Sequence, residues 1–367
     1  MITCIEHLSD ELILQIFEYL KPHILFDIFQ NLNKRFNSIL NDVHLSIDLK
    51  CNMLKALFDQ YCHKISKHKQ RCQQIYYLKL SDMRTFDQIG LFMKNCCIES
   101  FTHLRSLIIN DVSLADFKVI ASKLKYLKYL YHVNVKRARP GSPLEEEGHY
   151  IYNTILEHKS LKKCSLLDFD NMFGRFHREM ISTLEYLSVD VHDKQDVVNL
   201  IYSLPNIKRL AVSCDSTSSS SLIFRHPSIP FGRSLRYFEL SDGQFRFEEV
   251  ELLIKKLHQI QQFYFGGASS DFLNASRWQA VLSTMPLLIK FKLYVNIFNV
   301  QSSSILRPLL ASFYTEYWLK RKWYMACEYD KSNRHLAFYS SRYHHRSMGV
   351  GSSIQTATTC NNDFLAL

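Results

Sequence analysis

Hydrophobic positions along this chain follow two rhythms in succession. Near the start, Leu12, Ile13, Ile16, Phe17 and Leu20 recur at spacings of one, three and four, which predicts an amphipathic helix. Ser9 stands where a hydroxyl caps a first turn, and Asp10 and Glu11 fill that turn, where acids meet the positive end of the helix dipole. Lys21-Pro22 predicts the end of this helix, because a residue before proline avoids the α region. A second helix is expected over Ile24, Leu25, Ile28 and Phe29, and a third over Leu32, Phe36, Ile39 and Leu40. So short a unit cannot hide all these side chains. Each one left in water forgoes roughly 1.5–3 kcal/mol. The unit is therefore expected to bury a face, either against the chain behind it or against a partner.

From Ile75 a second rhythm takes over: apolar, two others, apolar, one other, apolar. It reads Ile75-x-x-Leu78-x-Leu80 and Leu104-x-x-Leu107-x-Ile109, with a looser copy near Leu127-x-x-Leu130. It continues at Leu161-x-x-Cys164-x-Leu166, Leu184-x-x-Leu187-x-Val189 and Ile207-x-x-Leu210-x-Val212. It closes at Leu235-x-x-Phe238-x-Leu240, Ile260-x-x-Phe263-x-Phe265 and Leu288-x-x-Phe291-x-Leu293. Successive starts lie 29, 23, 34, 23, 23, 28, 25 and 28 residues apart. Most of these intervals fall in the window for leucine-rich repeats, about 20–29 residues. The longest contains the turn-rich Arg139-Pro140-Gly141-Ser142-Pro143, and helix-like segments such as Glu248–Leu257 lie between motifs. One strand and one helix per unit bury their apolar faces only when stacked. The fold class expected is α/β: a short three-helix module, then a degenerate leucine-rich-repeat solenoid (a horseshoe). A plain alternating α/β domain fits the same rhythm.

Strand side chains alternate, so the residues between the inward apolar ones face the open side of the sheet. The inward set is Leu78, Leu80, Leu107, Ile109, Leu187, Val189, Leu210, Val212, Phe238, Leu240, Phe291 and Leu293. The outward positions include Tyr77, Lys79, Tyr129, Lys163, Tyr186, Arg209, Tyr237, Tyr264, Lys290 and Lys292, and of these Tyr77, Lys79, Tyr186, Arg209, Tyr237, Tyr264, Lys290 and Lys292 are the candidate substrate-binding residues. Tyrosine and arginine are enriched at binding hot spots.

Composition changes this picture little; charge changes it more. Apolar residues are 47% and charged residues 22% of 367, ordinary for a folded protein. The formal charge is +10. Residues 1–49 hold three bases against seven acids, and residues 305–346 hold eight bases against three acids, so the two ends are expected to face different partners. Neither a signal-like leader nor a run long enough to span a membrane is present, which points to the cytoplasm or nucleus. The ten cysteines are scattered and read as small core residues. Cys62, His63, His68 and Cys72 lack the tight paired spacing of a zinc site. Ser216–Ser221 reads as a surface loop. No phosphate loop, dinucleotide glycine pattern or nucleophile elbow occurs, so no cofactor, metal or catalytic residue is expected. The basic and aromatic run Tyr317–Tyr324 suits nucleic acid, through phosphate neutralisation and base stacking, or a strand pair with His335–Tyr339 that caps the array's open edge, and the cap is the reading favoured.

The N-terminal residues resemble a known family. Leu8-Ser9-Asp10-Glu11-Leu12-Ile13-Leu14-Gln15-Ile16-Phe17-Glu18-Tyr19-Leu20 resembles the first helix of the F-box, Leu-Pro-x-Glu-Leu-x-x-x-Ile-Phe-x-x-Leu. Asn31–Leu40 resembles its closing Val-Cys-Lys-x-Trp-x-x-Leu segment. Ser9, Asn33 and Phe36 stand where the family has proline, cysteine and tryptophan. The order of parts is similar to that of F-box/leucine-rich-repeat proteins. The resemblance implies a non-catalytic subunit of an SCF-type cullin ubiquitin ligase. Leu8, Leu12, Ile16, Phe17, Leu20 and Phe36 would meet the Skp adaptor, which bridges to the cullin, and the repeats would hold a protein substrate. The expected division is 1–48 F-box-like module, 49–74 helical linker, 75–300 repeats, 301–347 cap and 348–367 disordered tail. The alternative is a basic repeat scaffold that binds RNA or an acidic protein, with the helical module as its cap. No membrane partner is expected.

Overall fold

A computed structural model of the chain describes residues 4–49, 55–66, 69–83, 87–137, 148–168, 182–214, 222–224, 231–241, 245–340 and 354–358. The chain divides into two compact units: Met1–Met172 with Ile181–Leu184, and Phe173–Met180 with Glu185–Leu367. The serine run at 216–221 and His68 lie outside the described residues.

The first unit opens with helices α1 (Asp10–Tyr19), α2 (Pro22–Phe29) and α3 (Lys34–Asp42). Pro22 sits at the first position of α2, where its missing N–H costs nothing. Asn33 caps α3, its side-chain oxygen accepting from the Phe36 N–H at 2.8 Å. The centre of this module is aromatic: Phe17 lies 4.6 Å from Phe29 and 6.1 Å from Phe36, ring centre to ring centre. Leu32, expected within the third helix, precedes its cap and is exposed.

Strand β1 (Leu45–Asp48) follows at once, inside the segment expected to be purely helical. Val43, Leu45, Ile47 and Leu49 are its buried alternates. Helices α4 (Lys55–Ser66) and α5 (Lys69–Gln74) lead to β2 (Ile75–Ser81), which pairs parallel with β1. The buried Gln74 amide ties α5 to the end of α3, donating to the Leu40 carbonyl at 2.6 Å. Then come α6 (Gln88–Asn95), β3 (Ser106–Val112), α7 (Leu114–Leu124), β4 (His132–Arg137), α8 (Gly148–Leu156) and β5 (Lys163–Leu167). The strands pair parallel in sequence order. Leu78, Leu107, Val133 and Cys164 line up in one buried row, and Leu80, Ile109, Val135 and Leu166 in the next.

That register corrects the third repeat. Its motif is Leu130-x-x-Val133-x-Val135, three residues after the expected Leu127. Leu127 is buried in the turn after α7, where a second apolar anchor mimics the motif's first residue. Strand starts on either side are then 26 and 31 residues apart, more even than 23 and 34. Tyr129, expected on the open face of the sheet, lies in that turn, and His132, Asn134 and Lys136 hold the face instead.

The second unit repeats the scheme. Its elements are β6 (Tyr186–Val191), α9 (Lys194–Ser203), β7 (Arg209–Cys214), β8 (Tyr237–Ser241), α10 (Phe247–Lys255), β9 (Gln262–Gly267), α11 (Ala275–Ser283) and β10 (Lys290–Ile297). Strands β6 to β10 are parallel neighbours. One buried row runs Leu187, Leu210, Phe238, Phe263, Phe291, and the next Val189, Val212, Leu240, Phe265, Leu293. Trp278 of α11 fills the space behind them, within 6.3 Å of Phe247, Phe263, Phe265, Phe272 and Phe291 by ring centres. Its indole N–H donates to the Phe272 carbonyl at 2.8 Å.

Six of the repeats share one backbone mark. The carbonyl just before a strand accepts two consecutive N–H groups from the following repeat. Arg105 serves Tyr131 and His132, and Tyr131 serves Lys162 and Lys163. In the second unit Glu185, Lys208, Arg236 and Gln261 do the same for Lys208/Arg209, Arg236/Tyr237, Gln261/Gln262 and Ile289/Lys290. Backbone bonding thus satisfies these turns where the repeat asparagine is missing.

The C-terminal segment covers the free edge of β10, though with different pieces from those expected. Helices α12 (Leu306–Ser312) and α13 (Glu316–Lys320) come first, so Tyr317–Lys320 is helix, not strand. Strands β11 (Met325–Asp330) and β12 (His335–Ser340) form the hairpin, with β12 antiparallel to β10. Strand β13 (Ile354–Thr358) pairs with β11, in a stretch expected to be disordered. Among the described residues no helix is long and apolar enough to cross a membrane.

Candidate protein-binding surfaces

Two surfaces gather side chains suited to binding another protein. The first is on the N-terminal helices. Ser9 occupies the N-cap of α1, yet its hydroxyl makes no capping bond to the backbone. The Glu11 carboxyl lies below the usual carboxylate range, held first by its own backbone N–H and then by the Ser9 hydroxyl. Arg35 pins the approach to α1: it pairs with Asp10 at 2.6 Å and donates to the carbonyls of Glu6 and Leu8. Asn33 adds a bond to the Glu6 carboxylate at 3.0 Å.

Of the six residues expected to meet the Skp adaptor, Phe17 and Phe36 are fully buried, so they form the module's core and not its surface. A helix pattern gives the width of an apolar stripe but not which members a neighbouring helix covers. Leu8 and Leu20 are half-buried. Leu12 and Ile16, one turn apart on α1, are 48% and 38% exposed. Ile28 and Leu32 are 56% and 57% exposed, and Ile5, Tyr19 and Ile24 add to the apolar surface of the same module. Isolated exposed apolar residues are ordinary, whereas seven within one small module make it a candidate interaction site.

The second surface is the open sheet face of the second unit. Strand pairing places Tyr186, Arg209, Tyr237, Gln262 and Lys290 in one outward row. The next row holds Ser188, Ala211, Glu239, Tyr264 and Lys292. All six candidates of this unit therefore fall together. The Arg209 guanidinium lies 4.3 Å from the Tyr237 ring centre and 5.9 Å from that of Tyr186. Tyr237 and Tyr264 meet edge to face at 4.9 Å. Lys290 and Lys292 stand 5.5 and 5.0 Å from the Tyr264 ring centre. The Tyr237 hydroxyl donates to the Glu239 carboxylate, and burial followed by that bond pushes the phenol's pKa up. It therefore stays protonated as a donor.

The sequence pattern missed two further tyrosines. Tyr294 continues the outward set on β10, and Tyr339 faces it from β12 in antiparallel register. Tyr339 donates its hydroxyl to Glu328. Alternation along β10 could have found Tyr294; Tyr339 depends on a pairing that the repeat rhythm does not encode.

The remaining two candidates, Tyr77 and Lys79, lie on the first unit's sheet. Lys79 pairs with Asp48 of β1 at 3.5 Å, and the next residues of its row, Ile108 and Asn134, carry no charge. Among the described residues no group of three or more His, Cys, Asp or Glu is placed to hold a metal ion.

No family model matches the chain, and no curated protein matches it. Among solved structures, the chain is similar to an internalin from Listeria monocytogenes at 12% identity, over 77% of this chain and 87% of that one, with a TM-score of 0.36.

Proposed function

We propose that this protein is a substrate-recruiting, non-catalytic subunit of an SCF-type cullin ubiquitin ligase. Its N-terminal module docks the Skp adaptor, and through it the cullin, while its leucine-rich repeats hold a protein substrate. The observation that carries this reading is the exposed apolar surface of the N-terminal module, centred on Leu12, Ile16, Ile28 and Leu32. It lies in the segment whose sequence resembles the F-box. Docking there through Leu8, Leu12, Ile16 and Leu20 leaves the aromatic core of Phe17, Phe29 and Phe36 intact. Chemistry then belongs to other subunits, and this chain contributes two binding faces.

The test is a pull-down of the Skp adaptor by the full chain, beside Leu12→Asp/Ile16→Asp. Both side chains are exposed, so the double change leaves the fold standing. Capture by the unaltered chain and loss in the variant support the reading. No capture by the unaltered chain at micromolar concentration removes the ligase role and leaves a repeat scaffold with a helical cap.

A further inference from the structure

We propose that the open sheet face of the second unit binds an extended acidic peptide with two carboxylates about four residues apart and an apolar or aromatic side chain midway between them. One carboxylate sits over Arg209, the other over Lys290, and the middle side chain rests on the Tyr237–Tyr264 pair. This deepens the proposal that the repeats hold a protein substrate, and it rests on that reading.

Spacing gives the first argument. Arg209 and Lys290 hold the same register position on β7 and β10, three strands apart. Neighbouring strands lie about 4.8 Å apart, so the two cations stand roughly 14 Å from one another. An extended peptide rises about 3.3 Å per residue and covers that distance in about four residues. Its side chains alternate, so the first, third and fifth all point toward the sheet. The peptide therefore reads acid, any, apolar or aromatic, any, acid.

Charge gives the second. Arg209 and Lys290 are exposed, and neither makes an ion pair among the described residues. Between them in the row lie Tyr237 and Gln262, with the Tyr264 ring of the next row 4.9 Å from that of Tyr237 and 5.5 Å from the Lys290 ammonium, so the floor is uncharged. The one carboxylate in the two rows, Glu239, lies beside that floor and accepts the Tyr237 hydroxyl. An acid at either end of the peptide meets a cation, while an acid in the middle meets Glu239. A nucleic acid carries a charge on every nucleotide and would set one there. The face fits a ligand with separated charges rather than a polyanion.

Preorganisation gives the third. Arg209 already lies on the Tyr237 ring, and Lys290 near that of Tyr264. Ordering these long side chains in advance lowers the entropy lost on binding.

The experiment is selection of a random displayed peptide library on the full chain, without any adaptor, beside Arg209→Glu/Lys290→Glu. The unaltered chain is expected to enrich Asp or Glu at two positions separated by three residues, with an apolar or aromatic residue between. The reversed variant is expected to enrich Lys or Arg at the same two positions and keep the central residue, which also shows that it folds. In a selected peptide, changing either acid to its amide lowers affinity about tenfold for the unaltered chain. No acidic enrichment at this spacing, or the same acidic peptides on the reversed variant, overturns the proposal. Tighter binding of oligouridine RNA than of any selected peptide, lost in that variant, overturns it in favour of nucleic acid. Adaptor capture and peptide selection are separate measurements, so failure of one leaves the other readable.

Discussion

The two units share one backbone scheme and differ in what they place on it. In the first, the inward rows of the parallel sheet are aliphatic apart from Cys164, and the outward rows mix serine, asparagine, isoleucine and His132 with Lys79 paired to Asp48, Lys136 paired to Asp168, and Lys163. In the second, the inward rows turn aromatic from β8 onward, and the outward rows carry five of the six tyrosine, arginine and lysine candidates on β7 to β10. Parallel pairing and the bonding of the turn carbonyls recur in both, while register shifts occur at β1–β2 and β3–β4 of the first unit. The leucine-rich rhythm therefore specifies where side chains point, and the chemistry at the outward positions is free to differ from unit to unit.

The largest way to test that contrast is through the interiors. Trp278 is fully buried among five phenylalanines. Trp278→Ala is expected to cost about 5 kcal/mol, at the upper end for such truncations, whereas Ile109→Val in the first unit costs about 1 kcal/mol. Urea unfolding checks both. Equal costs would mean that the aromatic cluster packs loosely and that the interiors do not differ in kind.

Next comes the buried ion pair of the second unit. Lys194 and Glu249 meet at 3.2 Å, with side chains 4% and 5% exposed. The same carboxylate accepts the Arg246 N–H at 2.8 Å and so caps α10. Glu249→Gln keeps the shape and strands the lysine, at an expected cost of about 3 kcal/mol. A thermal midpoint that does not fall would show that water reaches the pair.

Much of this was legible in the sequence, and the misses have physical causes. Strand alternation placed all twelve residues of the named inward set in the core and gathered Tyr186, Arg209, Tyr237, Tyr264, Lys290 and Lys292 on one face, because a period of two leaves no other choice. The third repeat slipped because Leu127 and Leu130 are both buried, one in the turn and one in the motif. Strand β1 was hidden because it follows α3 directly within a stretch that otherwise reads as helix. Phe17 and Phe36 were placed on the surface because a resemblance of residues does not say which of them the third helix covers. Tyr339 and β13 depend on long-range antiparallel pairing, which no local rhythm carries.

Acid should move the two units in opposite senses. In the second, burial, reinforced by Asp193, pushes the Asp196 carboxyl up to about 7. A raised acid makes the folded state bind the proton more readily, so its penalty is full above pH 7 and fades as pH falls toward the unfolded value near 4. Asp196→Asn is expected to raise stability by about 1–3 kcal/mol at pH 8 and by nothing near pH 4. In the first unit, burial lowers the pKa of both His132 and His158. A lowered histidine favours the neutral folded form, so the stability it contributes is present above pH 6.5 and is lost as pH falls below it. His158→Gln should therefore flatten the acid side of the profile, where Asp196→Asn flattens the neutral side. Denaturant midpoints across pH 4–8 for both variants give the slopes, and slopes of the same sign would break the comparison.

The smallest effect bears on the outward faces themselves. Lys79 and Asp48 pair at 3.5 Å with both side chains about one-third exposed, so the pair contributes at most about 1 kcal/mol and salt screens it. Asp48→Ala should leave the unfolding midpoint within that margin while removing the charge that neutralises Lys79. If Lys79 is quiet only because Asp48 already satisfies it, this variant should gain a weak, salt-sensitive affinity for acidic peptides. If it is quiet because it lacks a tyrosine floor, with Tyr77 flanked by Ser46 and Ser106 in its row, the variant should gain none. The second outcome is expected. In the second unit the cations stand on rings that order them before a ligand arrives, and unmasking a lone lysine does not supply that order.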